Sequence, residues 1–495
     1  MMTSHSTSQK PIRRAAITFI LAFLCLPLAI AFSHDRNAEV PVNPTTIPEY
    51  DTVAGVVMYW NPGNNHAYDQ IVALVADGIQ PRATVFMQTN DNFHRDNMMN
   101  TFTNYGVPLD NIVFIEVYGD RIWIRDHGPF SIYDNDSLAF LGFNDLATNH
   151  GDQDLPQRLA EYWDINYYDF PHIIFDGGNY LVDSHNRLFA TNRLYTNNPD
   201  IPAEHIDTIL ESYMAIDTIV TFEALSDDYW GHLDMQIKLL NDTTFIISSV
   251  DEWHSDYQIL EDNLAILQSL EHPQGKSYQI AQIPKADNWK TYINSLIVND
   301  AVLVPTYSNP ADSDAMQTYQ NLLPEKTIIG IDCNAMISWE GAIHCITNQL
   351  PPFHAHTDED DDNGDDDNGD DDNGDNDNGD DDNGDDDNGD DDNGDDDGDE
   401  TDIRQPETGV ADGTFQVSPN PATDLAMVDF RITLRDDYRL EILDLQGQQI
   451  HQVNIPAWYT GDYSVPLDVS SFGSGIYIIR LTGSRGSESV RLVVP

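Results

Sequence analysis

From Asp358 to Glu400 the chain repeats a five-residue unit, Asp-Asp-Asp-Asn-Gly, without one apolar residue. A stretch with nothing to bury and a dense run of like charge cannot offset the conformational entropy lost on folding. No hydrophobic core runs through it. The 495 residues therefore divide into a large N-terminal and a small C-terminal folding unit, with an extended, solvated linker expected over 357–403. The Asp and Gly content also invites a calcium reading. The period is wrong for a helix–loop–helix calcium loop, because a Gly at the sixth position puts another Gly at the first ligand position. Diffuse calcium association, and a calcium-dependent surface adhesin built on it, stay open as a non-enzymatic alternative.

The tract holds about a third of the acidic residues, and the formal net charge of the whole chain is -61. Such a surface repels nucleic acid and anionic membranes and attracts cationic small molecules or basic peptides. At the N-terminus, Lys10, Arg13 and Arg14 precede an apolar run from Ala15 to Ile30, with Ala29-Ile30-Ala31 in the form of a cleavage site. A signal peptide over 1–31 is expected, and with it export and no stable membrane insertion after cleavage. Leu24 before Cys25 stands where a lipoprotein signal carries a small residue. Only Cys333 and Cys345 then remain, and a disulfide between them is one reading of an exported chain.

Residues 40–356 alternate short β-rich apolar runs with amphipathic stretches, which predicts an α/β unit. Strands are expected at Val53–Tyr59, Thr84–Met87, Ile112–Val117, Thr243–Val250 and Ser295–Val304, and helices over Asp69–Asp77 and Ser255–Leu270. No internal sequence repeat is visible. Residues 413–495 read as short alternating segments separated by turn residues, among them AMVDFRI, YRLEILDL and GIYIIRLT, the pattern of an antiparallel β-sandwich.

Four segments of the large unit concentrate reactive residues: Trp123–Phe130 (WIRDHGPF), Phe175–Asn179 (FDGGN), Gly231–Asp234 (GHLD) and Gly341–Thr347 (GAIHCIT). Taken singly, each has a bland reading as a turn, a satisfied polar pair or a small buried hydrophobe. Together they supply a nucleophile, an acid/base and paired carboxylates. Residues two apart on a strand share a side, so His232 and Asp234 are expected to face one site. Asp126 is expected where a WIR strand meets the HGP turn, and Cys345 within a short strand AIHCIT. A guanidinium is planar, cationic and a poor electrophile. Two carboxylates hold it by fork-like hydrogen bonds, a thiolate attacks its central carbon, and a His protonates the departing ammonia. On this reading Cys345 is the nucleophile, His232 the acid/base, and Asp126 and Asp234 the guanidinium clamps. Trp123 is a candidate pocket wall or an ordinary core residue. His127, His344, His354 and His356 have no spacing that makes a compact zinc site.

These four segments, in this order, resemble those of the agmatine deiminase and bacterial peptidylarginine deiminase family, within the guanidino-group-modifying superfamily. The similarity spans most of Val40–Pro352. It implies a pseudo-five-fold α/β propeller and no metal or organic cofactor. It also implies catalytic roles for Asp126, His232, Asp234 and Cys345, and a substrate-binding role for Asn294 in TYINSLIV. Departures are WEGAIHC, with Trp339 and Glu340 where many relatives are Gly-rich, and Asp176 where they often carry Glu. The stretch after GFND offers no arginine before Arg158 to hold a peptide's C-terminal carboxylate. SPNPATD, LDLQGQQI and SGIYIIRL in 413–495 resemble the type A sorting domain of type IX secretion, with Arg491 where Lys is usual. That resemblance implies the type IX machinery as a partner and a secreted or cell-surface location reached through the periplasm. The expected substrate is agmatine, another cationic guanidino compound, or arginine within a peptide. Amidino transfer to an amine, and a binding protein that has lost turnover, are the remaining alternatives.

Overall fold

The computed structural model describes residues 40–352 and 409–495, apart from 64–65, 148–151, 227, 287–288, 412, 435, 437 and 456–460. The signal peptide, the acidic linker, Cys25, His354 and His356 lie outside the described residues. Among the described helices, none is long and apolar enough to cross a membrane.

One local topology recurs five times in the large unit: an antiparallel strand pair, a helix, then a strand parallel to the second of the pair. Phe130–Asp134 and Ser137–Asn144 pair first, and Asn166–Ile174 joins them after the helix Leu155–Trp163. Leu181–Val182 pairs with Arg187–Thr191, and Thr218–Phe222 follows the helix Ala203–Met214. Ile237–Asn241, Thr244–Ser249 and Gln279–Pro284 form the third sheet. Leu296–Val298, Ala301–Thr306 and Thr327–Asp332 form the fourth. The fifth joins both ends of the unit: Asn348–Leu350 lies antiparallel to Gly55–Met58, which is parallel to Thr84–Gln88. Each parallel crossover needs a covering helix, which is why helix and strand alternate along the sequence.

The expected helices are present as His66–Ile79 and Tyr257–Ser269. On the first, Ile71, Val72, Val75, Ala76 and Ile79 are buried, the spacing of one helical face. Its contact with the fourth sheet is close enough that a Cβ on Gly78 would lie 2.9 Å from Leu303 Cδ2. The single strand expected over Ser295–Val304 is instead a hairpin, Leu296–Val298 and Ala301–Thr306. Asn299 turns the chain at φ 49° and its carboxamide donates to the carbonyls of Val53 and Arg82 at 2.8 and 2.9 Å. Asn tolerates this left-handed backbone, so the turn was encoded in Asn299-Asp300.

The C-terminal segments fold as the expected strands. Gln416–Ser418, Leu425–Ile432 and Gly461–Asp468 form one antiparallel set, and Gln449–Ile455, Tyr438–Leu443, Gly475–Gly483 and Gly486–Val494 the other. Val428 and Phe430 of the first share an apolar cluster with Leu440 and Ile479 of the second. The first set also meets the fifth sheet of the large unit, where Ser464 pairs with Phe114 of Ile112–Ile115.

Candidate active site

Cys345 does not lie in a strand. It sits in a single tight helical turn, His344–Ile346, and is 3% exposed. The Asn294 carboxamide makes the turn: its Oδ1 accepts from the backbone N–H of Ala342, His344 and Cys345 at 3.0, 3.1 and 3.5 Å. Its Nδ2 donates to Cys345 Sγ at 3.1 Å. A short apolar run carries no signal for such a tertiary cap, so the strand expectation failed there. Cys333 and Cys345 are both free and buried, which removes the disulfide reading.

His232 and Asp234 are not on a strand either, yet they share a site. His232 precedes a one-turn helix, Leu233–Met235, and the Asp228 carboxylate accepts from the N–H of Gly231 and His232 at 2.8 and 3.1 Å. Gly231 has φ +68°, a left-handed backbone that suits glycine. Asp126 is inside a short helix, Ile124–His127, rather than at a strand end. Three one-turn helices, not strand ends, thus carry or adjoin Asp126, His232, Asp234 and Cys345.

The groups converge. His232 Nδ1 lies 3.8 Å from Asp126 Oδ1, and its Nε2 lies 3.3 Å from Asp176 Oδ2. Cys345 Sγ lies 3.8 Å from Asp234 Oδ2. Asp126 Oδ1 and Asp234 Oδ1 are buried and have no hydrogen-bond partner among the described residues. Two such oxygens are costly unless a ligand satisfies them. A Cβ on Gly178 would come 2.5 Å from His232 Nδ1, so only glycine admits the imidazole. Trp123 is half-buried, and a Cβ on Gly341 would meet its ring at 2.6 Å and Cys345 Sγ at 3.1 Å. The Trp123 ring therefore lies beside Cys345.

The electrostatics favour protons in this cavity. Burial pushes the Cys345 thiol up to about 12, with Asp234 and Asp126 adding and His232 opposing. Burial pushes Asp126 up to about 8, against His232 and with Asp176 and Asp234 alongside. Burial works against charge on His232, but Asp126, Asp176 and Cys345 raise it well above the ordinary imidazole range. Asp234 goes the other way: burial disfavours its charge, and His344, His232 and Arg125 together still hold it below the usual carboxylate range. A guanidinium between these groups would lower both acids and the thiol, because a cation stabilises each anionic form.

Sequence reasoning missed a layer behind these residues. His344 Nδ1 donates to Asp234 Oδ2 at 2.6 Å, and its Nε2 lies 3.2 Å from Glu49 Oε2. Lys238, 2% exposed, holds both Glu49 oxygens at 2.7 Å. Arg125 reaches Gln349 Oε1 at 2.7 Å. A small cavity is walled by Glu49, Arg125, Gly177 and His344, but not by Cys345, His232, Asp126 or Asp234. Asp176 was visible only as part of FDGGN, and nothing local marked Glu49 or Lys238. His127 pairs with Asp152 at 3.2 Å, and Arg158 with Asp154 at 3.0 Å.

Residues 45–351 match the model of the Porphyromonas-type peptidyl-arginine deiminase family. The chain belongs to this family. Its members and the agmatine deiminases are hydrolases that act on C–N bonds of amidines. Residues 416–495 match the secretion system C-terminal sorting domain. The agmatine deiminase of Stutzerimonas stutzeri is 24% identical over 283 residues, 48% of this chain and 77% of the relative. That of Pseudomonas syringae pv. tomato is 24% identical over 293 residues, 50% of this chain and 80% of the relative. Among solved structures, the agmatine deiminase of Enterococcus faecalis is similar with TM-score 0.56 and 18% identity, covering 62% of this chain and 96% of its own. The C. jejuni agmatine deiminase with substrate bound is similar with TM-score 0.55 and 19% identity, over 63% of this chain and 97% of its own. These likenesses establish a mixed α/β fold shared with other deiminases.

Proposed function

We propose that this deiminase hydrolyses the guanidinium of agmatine or of arginine in a peptide to a ureido group, with release of ammonia. The observation that carries the reading is the pair of buried carboxylate oxygens, Asp126 Oδ1 and Asp234 Oδ1, that have no hydrogen-bond partner among the described residues and stand around a thiol and an imidazole. The carboxylates hold the planar cation, and Asn294 and Trp123 bound the place it occupies. Cation binding lowers the thiol, whose proton passes to solvent. Cys345 Sγ then forms a bond to the guanidinium carbon. The C–N bond to one terminal nitrogen breaks as His232 gives that nitrogen a proton, and ammonia leaves a thiouronium on the sulfur. His232 next takes a proton from water, which adds to the same carbon. The C–S bond breaks as the added hydroxyl gives its proton to solvent, the thiolate is returned, and the neutral ureido product departs.

The five recurrent sheets fit the blades of a pseudo-five-fold propeller, and the two C-terminal sheets fit a sandwich. With the sorting domain at its C-terminus, the chain is read as secreted or cell-surface, exported through the periplasm by type IX machinery. Ammonia release should be measured with agmatine, free arginine and an internal arginine peptide. Release from agmatine or the peptide, lost in Cys345→Ala, supports the reading. Equal rates in wild type and Cys345→Ala, or release from none of the three, sinks it.

A further inference from the structure

Asp234 has its two oxygens in unlike settings. Oδ2 is fixed by His344 Nδ1 at 2.6 Å, while Oδ1 is buried with no partner among the described residues. Behind the imidazole stands Glu49, 3.2 Å from Nε2, and behind Glu49 stands buried Lys238, bonded to both carboxylate oxygens at 2.7 Å. Glu49 is also gripped by the backbone N–H of Ile297 at 3.2 Å. The four side chains come from four separate places: the segment before Gly55–Met58, the strand Ile237–Asn241, and the two one-turn helices carrying Asp234 and Cys345. None of the first three residues in the series, Lys238, Glu49 and His344, has a role in the steps above.

A buried row of basic and acidic side chains is costly to assemble and is destabilising when one member is removed. Its effect on the far end is directional. An imidazole bonded on one side and facing a carboxylate on the other has one orientation, and a carboxylate bonded through one oxygen presents the other in a fixed direction. Without that bond Asp234 is free to turn. It would also take a proton more readily, because it is buried close to two further acids, Asp126 and Asp228, and to the Cys345 thiol. The basic side chains that face it are His344, His232, Arg125 and Lys238.

We infer that Lys238, Glu49 and His344 form a positioning relay that keeps Asp234 ionised and aims its Oδ1 at the substrate cation. The inference rests on the deiminase reading and deepens it. Glu49 is the member to change, because His344 stands between it and Asp234. Glu49→Gln keeps the shape and loses the charge, and Glu49→Asp keeps the charge on a shorter stem.

The test compares the full chain with these two variants, using ammonia release from agmatine across a pH series and thermal melting alongside. The expected result for Glu49→Gln is a KM raised on the order of ten-fold, with kcat changed less. The acid limb of its kcat/KM profile that lies below the Asp126 ionisation moves to higher pH, since Asp234 must be ionised to bind the cation and now holds its proton more tightly. Glu49→Asp should return the acid limb toward the wild-type position. A Glu49→Gln protein with wild-type KM and an unmoved acid limb overturns the relay. So does equal loss in Gln and Asp variants with lowered melting and an unmoved limb, which marks a purely structural ion pair. Wild-type protein inert toward every guanidine tested would instead defeat the deiminase reading itself, and the two failures are thereby told apart.

Discussion

Cys345 is held where its own thiolate is disfavoured, between two acids in a buried place that only a cation makes hospitable. Burial pushes the thiol up to about 12, with Asp234 and Asp126 adding to it. Two opposite effects of one substitution follow. Asp234→Asn should speed alkylation of Cys345 by iodoacetamide at pH 8, because one source of the upward shift is gone. The same change should slow ammonia release by about 10²-fold, because a clamp on the cation is gone. Slower alkylation together with slower turnover would mean that Asp234 does not act on the thiol by charge. Asp126 offers a second check. Its folded carboxyl is pushed up to about 8, far above its unfolded value, so the folded state binds this proton more tightly than the unfolded one. Stability contributed by the protonated form is present at acid pH and lost as pH rises through about 8. Asp126→Asn should therefore melt higher than wild type at pH 9 and gain little at pH 4. The activity limb runs in the opposite sense: kcat/KM should rise with pH as Asp126 ionises.

At the scale of elements, the site depends on one-turn helices whose conformation is imposed from elsewhere. The Asn294 carboxamide supplies the acceptor for three backbone N–H groups around Cys345. Asn294→Ala leaves them without it, and should cost about 1–3 kcal/mol of stability, measured by denaturant titration, together with most of the activity. Gly178→Ala puts a Cβ 2.5 Å from His232 Nδ1 and must displace the imidazole. Its expected cost is about 10²-fold in kcat with little change in melting. These elements also mark where the sequence was and was not readable. Asp126, His232, Asp234 and Cys345 stood out because four odd segments supplied complementary chemistry, and the folded chain gathers them. Their local shape was misread because alternation in GHLD and AIHCIT resembles a strand. The signals that decide otherwise are Asp228 and Asn294 gripping backbone N–H groups, a tertiary matter in the case of Asn294. The helix His66–Ile79 was legible from one continuous apolar face, Ile71, Val72, Val75, Ala76 and Ile79. The recurrence of five sheets was not. That recurrence lives in hydrogen-bond topology, which Phe130–Asp134 and Leu296–Val298 satisfy with unrelated side chains.

Across the whole molecule, charge and division of labour are the main features. A net charge of -61 should draw cationic substrates inward, so kcat/KM for a basic peptide should fall steeply as salt shortens the screening length. Among the described residues, none of those named around Cys345 comes from 416–495. Yet Val428 and Phe430 share an apolar cluster with Val57, Phe86 and Val113 of the large unit. Removing the C-terminal unit should therefore lower the melting temperature while leaving kcat/KM for agmatine unchanged. The proposed chemistry is covalent: a single sulfur carries the substrate carbon between loss of ammonia and arrival of water. Acid quenching of the full chain during turnover, followed by mass analysis of its peptides, tests it directly. The expected result is a mass increase equal to substrate less ammonia on the peptide that contains Cys345. Steady release of ammonia with that peptide unmodified throughout, or the adduct found at Cys333 instead, would contradict it.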